Sequence, residues 1–193
     1  MEELQDYFDN DKRDLQYRLV KTDKYIIGYC EIPGVKSHKI QHETAYGLLY
    51  AVLSDKLGVD LETLTIAQRE NGKPYAVGEP FFFNLSHCDG LAVCAVSTDR
   101  DVGVDVERIR EYREPTAKRV MSDSEYANFL SSDDKDRMFF RMWTFKESVL
   151  KLTGEGLRRA PREVDFFNRD QYHVEQYEIT LNGKEFIISC AIN

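Results

Sequence analysis

Two stretches decide the reading of this chain: Val102-Gly103-Val104-Asp105-Val106-Glu107, and further along Trp143-Thr144-Phe145-Lys146-Glu147-Ser148-Val149-Leu150-Lys151. In the first, valines alternate with other residues. Side chains on a strand repeat with period two, so Asp105 and Glu107 share one face and the valines the other. In the second, Trp143, Glu147 and Lys151 are spaced four apart, which on a helix stacks them along one stripe. If the strand faces the helix, three acids and a lysine converge. Such a set suits a hard divalent cation with oxygen ligands, holding a phosphate ester that the lysine also touches. The apolar neighbours predict a central strand, where two close carboxylates repel each other unless a cation or protons intervene. On spacing alone, a D-x-E pair is more often a solvated face, and Glu147 with Lys151 reads as a surface ion pair worth a few tenths of a kcal/mol.

The totals bound what surrounds these stretches. With 193 residues, 42% hydrophobic, 31% charged and 12% aromatic, the chain can bury a core as one large domain or two small ones. A net charge of -8 and a pI near 5.1 argue against broad nucleic-acid or anionic-membrane binding, which needs a positive field. The acidic start, Met1-Glu2-Glu3-Leu4-Gln5-Asp6, lacks an apolar run behind it, and nothing approaches the ~20 apolar residues of a spanning helix. The expected location is the cytoplasm. Cys30, Cys88, Cys94 and Cys190 are scattered without a CxxC pair, so neither a zinc site nor a disulfide framework is indicated.

Working outward, the expected elements are a weak helix within residues 1–20, a strand over 25–30 closed by Pro33-Gly34, and a helix over 37–57 capped by Gly58. A short strand over 64–67 leads to the Asn71-Gly72 turn, and strands over 81–85 and 91–96 are joined by a polar connection, Ser86-His87-Cys88-Asp89-Gly90. Ser97-Thr98-Asp99-Arg100-Asp101 is the candidate boundary between two halves. Helical turns are expected over 116–121, a short helix after the Ser122-x-x-Glu125 capping box, and a long helix over 134–153 that Gly154 ends. Strands over 164–167, 172–181 and 184–192 follow, the last two a hairpin at Asn182-Gly183 with Phe186, Ile188, Cys190 and Ile192 on the buried face.

Asn84-Leu85-Ser86-His87, Gly103-Val104-Asp105-Val106-Glu107 and the 143–151 stretch, in this order and spacing, resemble the 4'-phosphopantetheinyl transferases, more closely the long single-chain type that activates peptide synthetases. Gly72-Lys73-Pro74-Tyr75 and Gly154-Glu155-Gly156-Leu157 extend the likeness, which covers roughly residues 42–165. It implies an α+β fold of two similar halves, 1–98 and 99–193, each a small antiparallel sheet with a long helix, and the active site between them. It implies transfer of the phosphopantetheine arm of coenzyme A to a serine of an apo acyl or peptidyl carrier protein, with release of 3',5'-ADP. Asp105, Glu107 and Glu147 are then Mg²⁺ ligands, and Lys151 offsets phosphate charge. Glu147 is also a candidate base for the serine proton, directly or through a metal-bound water. Ser86 and His87 match positions that touch coenzyme A phosphate, Lys73 one near the adenine, and Glu125 an acid near the metal, which its capping-box role explains as well. Trp143 reads as a packing residue. A monomer is expected.

The sequence also departs from the pattern. The family usually has arginine after the histidine that opens its first long helix, where it grips the 3'-phosphate, and here His42 is followed by Glu43. Lys36, Lys39 or His42 is the candidate substitute, with weak discrimination between coenzyme A and dephospho-coenzyme A as the consequence. Arg108, Arg110, Arg113, Lys118 and Arg119 follow the metal strand and could dock an acidic carrier helix, although Glu111 and Glu114 dilute that charge. Two rival readings are a metal-dependent nucleotide pyrophosphate hydrolase and a catalytically silent homologue that binds carrier protein or coenzyme A.

Overall fold

The computed structural model describes residues 15–32, 37–168 and 172–193. In chain order the main elements are β1 (Arg18–Lys21), β2 (Ile26–Glu31), α1 (His38–Val52), β3 (Ile66–Gln68), β4 (Pro74–Ala76), β5 (Phe82–Cys88), β6 (Leu91–Ser97) and β7 (Val102–Arg108). Then come α2 (Glu114–Val120), α3 (Asp123–Leu130), α4 (Lys135–Thr153), β8 (His173–Leu181) and β9 (Lys184–Ile192). This is an α+β chain of small antiparallel sheets and helices, with strand orders β1-β2-β6-β5, β3-β4 and β7-β9-β8. Among the described residues no helix is long and apolar enough to cross a membrane.

The two larger sheets lie face to face between α1 and α4. Strand β6, Leu91-Ala92-Val93-Cys94-Ala95-Val96-Ser97, is buried along its whole length because both its faces are covered. Its Leu91, Val93 and Ala95 pack against Val102, Val104 and Val106 of β7 and Phe186, Ile188, Cys190 and Ile192 of β9. Its Ala92, Cys94 and Val96 pack instead against Leu48, Leu49 and Val52 of α1. On the far side of the second sheet, Ile187 and Ala191 meet Phe145, Val149 and Leu152 of α4. The valine face of β7 thus looks into the sheet-to-sheet core, and the face bearing Gly103, Asp105 and Glu107 looks toward α4. Gly103 lets them approach: a Cβ there would lie 2.1 Å from the Ser148 carbonyl oxygen and 2.4 Å from the Leu152 nitrogen.

Several boundaries match local chemistry. Ser122 accepts from the Glu125 N–H while the Glu125 carboxylate accepts from the Ser122 N–H, a complete capping box opening α3. Asp134 caps α4 and Gly154, at φ 69°, ends it. Asn182 and Gly183, at φ 48° and 73°, form the β8–β9 turn.

Other expectations fail, for tertiary reasons. Residues 164–167 form no strand, because Pro161 and Val164 turn their carbonyls onto the Lys146 ammonium and Phe166 gives its N–H to Glu125. Strand β5 does not stop at residue 85: Ser86, His87 and Cys88 continue the ladder opposite Val93, Ala92 and Leu91. Strand β9 is buried on both faces, since Ile187, Ser189 and Ala191 are as enclosed as the predicted set. Helix α1 passes at Leu53–Leu57 into a wider π turn before Gly58. Arg18–Lys21, which carries no clear strand pattern, pairs with β2. The helix expected within 1–20 and the turn at Pro33-Gly34 fall largely outside the described residues.

Candidate functional site

Strands β5 and β7 and helix α4 bring Ser86, Asp105 and Lys151 into direct contact. The Lys151 ammonium donates to Asp105 Oδ1 at 2.7 Å, to Ser86 Oγ at 2.9 Å and to the Val104 carbonyl at 3.1 Å. Ser86 Oγ in turn donates to Asp105 Oδ1 at 2.9 Å and accepts from the Val106 N–H at 3.3 Å. The Asn84 side-chain oxygen takes the Val104 N–H at 2.9 Å, so β5 and β7 are pinned along their length by side chain to backbone bonds. Asp105 is 6% exposed and its Oδ2 is buried with no donor.

Glu107 and Glu147 join this group electrostatically. Burial and then the Asp105 charge push the Glu107 carboxyl above its usual range, against the opposing pull of Arg110 and of the Trp143 indole that hydrogen-bonds it. Burial and Asp105 likewise push up Glu147, with Lys151 opposing and Glu107 adding to the rise. Each acid therefore makes the next harder to ionise, as like charges sharing a low-dielectric site must. Trp143 packs against the α4 core and stacks on Phe139, with ring centroids 6.5 Å apart.

Beyond Ser86, β5 turns His87 toward α1, where it meets His38 and His42 at ring-centroid distances of 4.9 and 6.4 Å. Burial, His38, His42 and Lys151 pull the His87 imidazole down to about 4, so at neutral pH it offers a neutral ring. Its Nδ1 is buried without a partner. Sequence reading named His42 and His87 but not His38. The signal was present in the four-residue spacing of His38 and His42, which puts both rings on one stripe of α1. Lys36 lies outside the described residues. Lys39 extends into solvent and sits 3.8 Å from Glu43, so the acid that follows His42 is partly countered by its own helix.

Three expectations change. The Lys73 ammonium is not free for a ligand: it is buried and donates to Asp101 Oδ1 at 2.7 Å, the Leu152 carbonyl at 3.0 Å and the Val102 carbonyl at 3.1 Å. All three of its donors tie the start of β7 to the end of α4. Glu125 does not join the acid group. It is fully enclosed and accepts from the Lys146 ammonium at 2.8 and 2.9 Å and from the Ser122 and Phe166 N–H groups at 2.8 Å. The basic run after β7 is not a uniform free patch either: Arg110 holds Glu107 at 2.9 Å, Arg108 is 3.4 Å from Asp89 and Lys118 is 2.6 Å from Glu114, while Arg113 and Arg119 are exposed.

The acids suit a hard divalent cation in kind. All are oxygen donors, one buried carboxylate oxygen lacks a donor, and two are raised by burial and then by the Asp105 charge, which a cation would offset. Among the described residues, however, no three His, Cys, Asp or Glu side chains stand as a ready-made metal cage. The closure of Asp105, Glu107 and Glu147 on one ion is not preformed, because Lys151 and Arg110 already sit on Asp105 and Glu107.

Residues 101–191, which carry this acid face and helix α4, match the family described as the 4'-phosphopantetheinyl transferase superfamily. Over that stretch the chain is similar to a superfamily of transferases. Among its relatives, the 4'-phosphopantetheinyl transferase HetI of Nostoc sp. PCC 7120 is 36% identical over 131 residues, covering 63% of this chain and 55% of HetI. A 4'-phosphopantetheinyl transferase of Bacillus subtilis is 32% identical over 138 residues, covering 69% and 61%. The transferase Sfp of Bacillus subtilis strain 168 is 31% identical over 121 residues, covering 60% and 54%. The chain thus spans between half and two thirds of the length of these relatives.

Proposed function

We propose that this chain transfers the 4'-phosphopantetheine moiety of coenzyme A to a serine of an apo acyl or peptidyl carrier protein, releasing 3',5'-ADP in a Mg²⁺-dependent reaction. The observation that carries this reading is the direct contact of Ser86, Asp105 and Lys151 in a site that also holds two acids with raised affinity for protons. In the reaction a serine oxygen bonds to the phosphorus that bears pantetheine, and the bond from that phosphorus to the oxygen of the 3',5'-ADP phosphate breaks. Negative charge grows on both sides, so the need is for cations at the phosphates and a base at the serine.

Asp105, Glu107 and Glu147 would hold the Mg²⁺, which supplies charge stabilisation at the pyrophosphate. Lys151 lies at the same place and gives a second positive charge through an ammonium that already bridges β5 and β7. Glu147, partly buried and within electrostatic reach of Asp105 and Lys151, is the candidate base for the serine proton. His87, neutral at physiological pH, approaches a phosphate as a hydrogen-bond donor, with His38 and His42 beside it. We propose further that the two halves, 1–98 and 99–193, form a pseudo-dimer with this site between them, that the protein acts as a monomer in the cytoplasm, and that exposed Arg113 and Arg119 meet the acidic carrier.

The test is mass spectrometry of an apo carrier protein after incubation with the chain, Mg²⁺ and coenzyme A. The expected result is one phosphopantetheine mass added at the carrier serine. Consumption of coenzyme A at the same rate without carrier would replace this reading with a pyrophosphate hydrolase. Run with dephospho-coenzyme A, the same assay is expected to show little discrimination, since Glu43 stands where a cation would grip the 3'-phosphate. A preference for coenzyme A of several hundred-fold would remove that part.

A further inference from the structure

The two cations that sit on the acids are not equivalent. Lys151 binds Asp105 through Oδ1 alone and leaves Oδ2 open, so the ammonium and a metal can share that carboxylate from opposite sides. Arg110 is placed differently. Its guanidinium donates to Glu107 Oε2 at 2.9 Å and to the Arg108 carbonyl at 3.1 Å, and lies 4.7 Å from the centroid of the buried Phe140 ring. The Glu107 side chain is 23% exposed and that of Arg110 is 55% exposed. Glu107 thus has one carboxylate oxygen held by a side chain that is itself largely in solvent. A guanidinium and a divalent cation repel each other on one carboxylate oxygen, and the cation side chain nearer solvent moves at the lower cost.

Resting on the reading of Asp105, Glu107 and Glu147 as metal ligands, we propose that Arg110 is a removable counter-ion. It holds Glu107 while the metal is away and swings outward when the metal binds. Arg110 therefore tunes metal affinity without touching substrate, and it is a positioning residue, not a catalytic one. The role is specific to Glu107, the acid whose oxygen the guanidinium holds. It also singles out Arg110 from its neighbours, since Arg108 is turned to Asp89.

The test is calorimetric titration of the whole chain with Mn²⁺ and with Mg²⁺, without coenzyme A or carrier, for the native protein, Arg110→Gln and Arg110→Lys. Arg110→Gln is expected to bind the metal about 3-fold tighter, the size of one solvent-exposed ion pair removed. The gain should shrink in ~1 M salt, where such pairs are screened. Arg110→Lys keeps the charge and should return toward native affinity, which a purely structural role for Arg110 would not produce. Equal or weaker metal binding by Arg110→Gln, in a protein with unchanged circular dichroism, overturns the proposal and leaves the metal reading intact. Absence of Mn²⁺ and Mg²⁺ binding in both the native chain and the variant overturns the metal reading and the counter-ion with it.

Discussion

Helix α4 carries two lysine–carboxylate pairs five residues apart, and they are built for opposite ends. Lys146 and Glu125 are both 0% exposed, and every polar atom of the pair is answered by another group of the protein: two carbonyls on the ammonium, two backbone N–H groups on the carboxylate. Lys151 and Asp105 lie at the edge of the core, the lysine side chain 29% exposed, the carboxylate with one oxygen left without a donor. The first pair is closed. The second has capacity left over, and in a buried setting unspent hydrogen-bonding capacity marks a place where something else binds. The same chemistry thus serves as a fastening where it is saturated and as a site where it is not.

The largest effect expected from breaking this contrast is at the closed pair. Lys146→Met strands the Glu125 carboxylate in the core, and removal of one partner of a buried pair costs about 3–5 kcal/mol. A fall in Tm of roughly 10 °C or more should be seen in thermal unfolding. Loosening of the 161–166 turns should accompany it, because the Pro161 and Val164 carbonyls and the Phe166 N–H all bond to this pair. A Tm within a degree or two of the native value would show that the pair is dispensable and the contrast wrong.

At the open pair the ranking reverses. Lys151→Ala removes a partly exposed charge from a carboxylate that Ser86 still holds, so its stability cost should fall below that of Lys146→Met, while kcat/KM for carrier modification falls by about 10²–10³. Steady-state kinetics beside a melting curve separate the two readouts, and a large Tm loss with little kinetic change would place Lys151 with Lys146.

The smallest effect sharpens the electrostatics. Burial and Asp105 raise the proton affinity of both Glu107 and Glu147 in the folded chain, so the folded state binds protons that the unfolded state does not. Their contribution to stability is therefore complete below the ordinary glutamate range and is lost as the pH climbs through their elevated values. Without divalent cations, these two acids push Tm up as the pH is lowered from neutrality toward about 5, while His87, pulled down to about 4, pushes it the other way as imidazoles of the unfolded chain become charged. Glu147→Gln should raise Tm at neutral pH by ~2 °C and flatten this slope. A Glu147→Gln Tm no higher than the native value at neutral pH, or an advantage that does not shrink toward pH 5, would contradict the repulsion.

Some of this was legible before any coordinates. The alternation in 102–107 gave Asp105 and Glu107 one face, Ser122-x-x-Glu125 gave a helix start, and Asn182-Gly183 gave a hairpin, each because the pattern and the cause lie within a few residues. The bonds of the Lys73 ammonium were hidden for the opposite reason. Its ammonium is consumed by Asp101, Val102 and Leu152, groups far along the chain that no local pattern reports. Ser86 and His87 read as a turn for want of their partner strand, since a strand becomes visible in polar residues only through the ladder it joins.

By itself, then, the sequence determined the periods: which residues share a strand face, which share a helix stripe, and where helices begin and stop, all set by backbone geometry and nearest neighbours. Only the tertiary structure decided the pairings. Five positions along α4 are about 140° of rotation, enough to aim Lys146 into the α3 side and Lys151 at β7. Which acid each lysine met, and whether that acid kept an oxygen in reserve, depended on the close passage of α4 over Gly103 and of β5 along β7. Those contacts join residues tens of positions apart, and they exist only once the layers have packed.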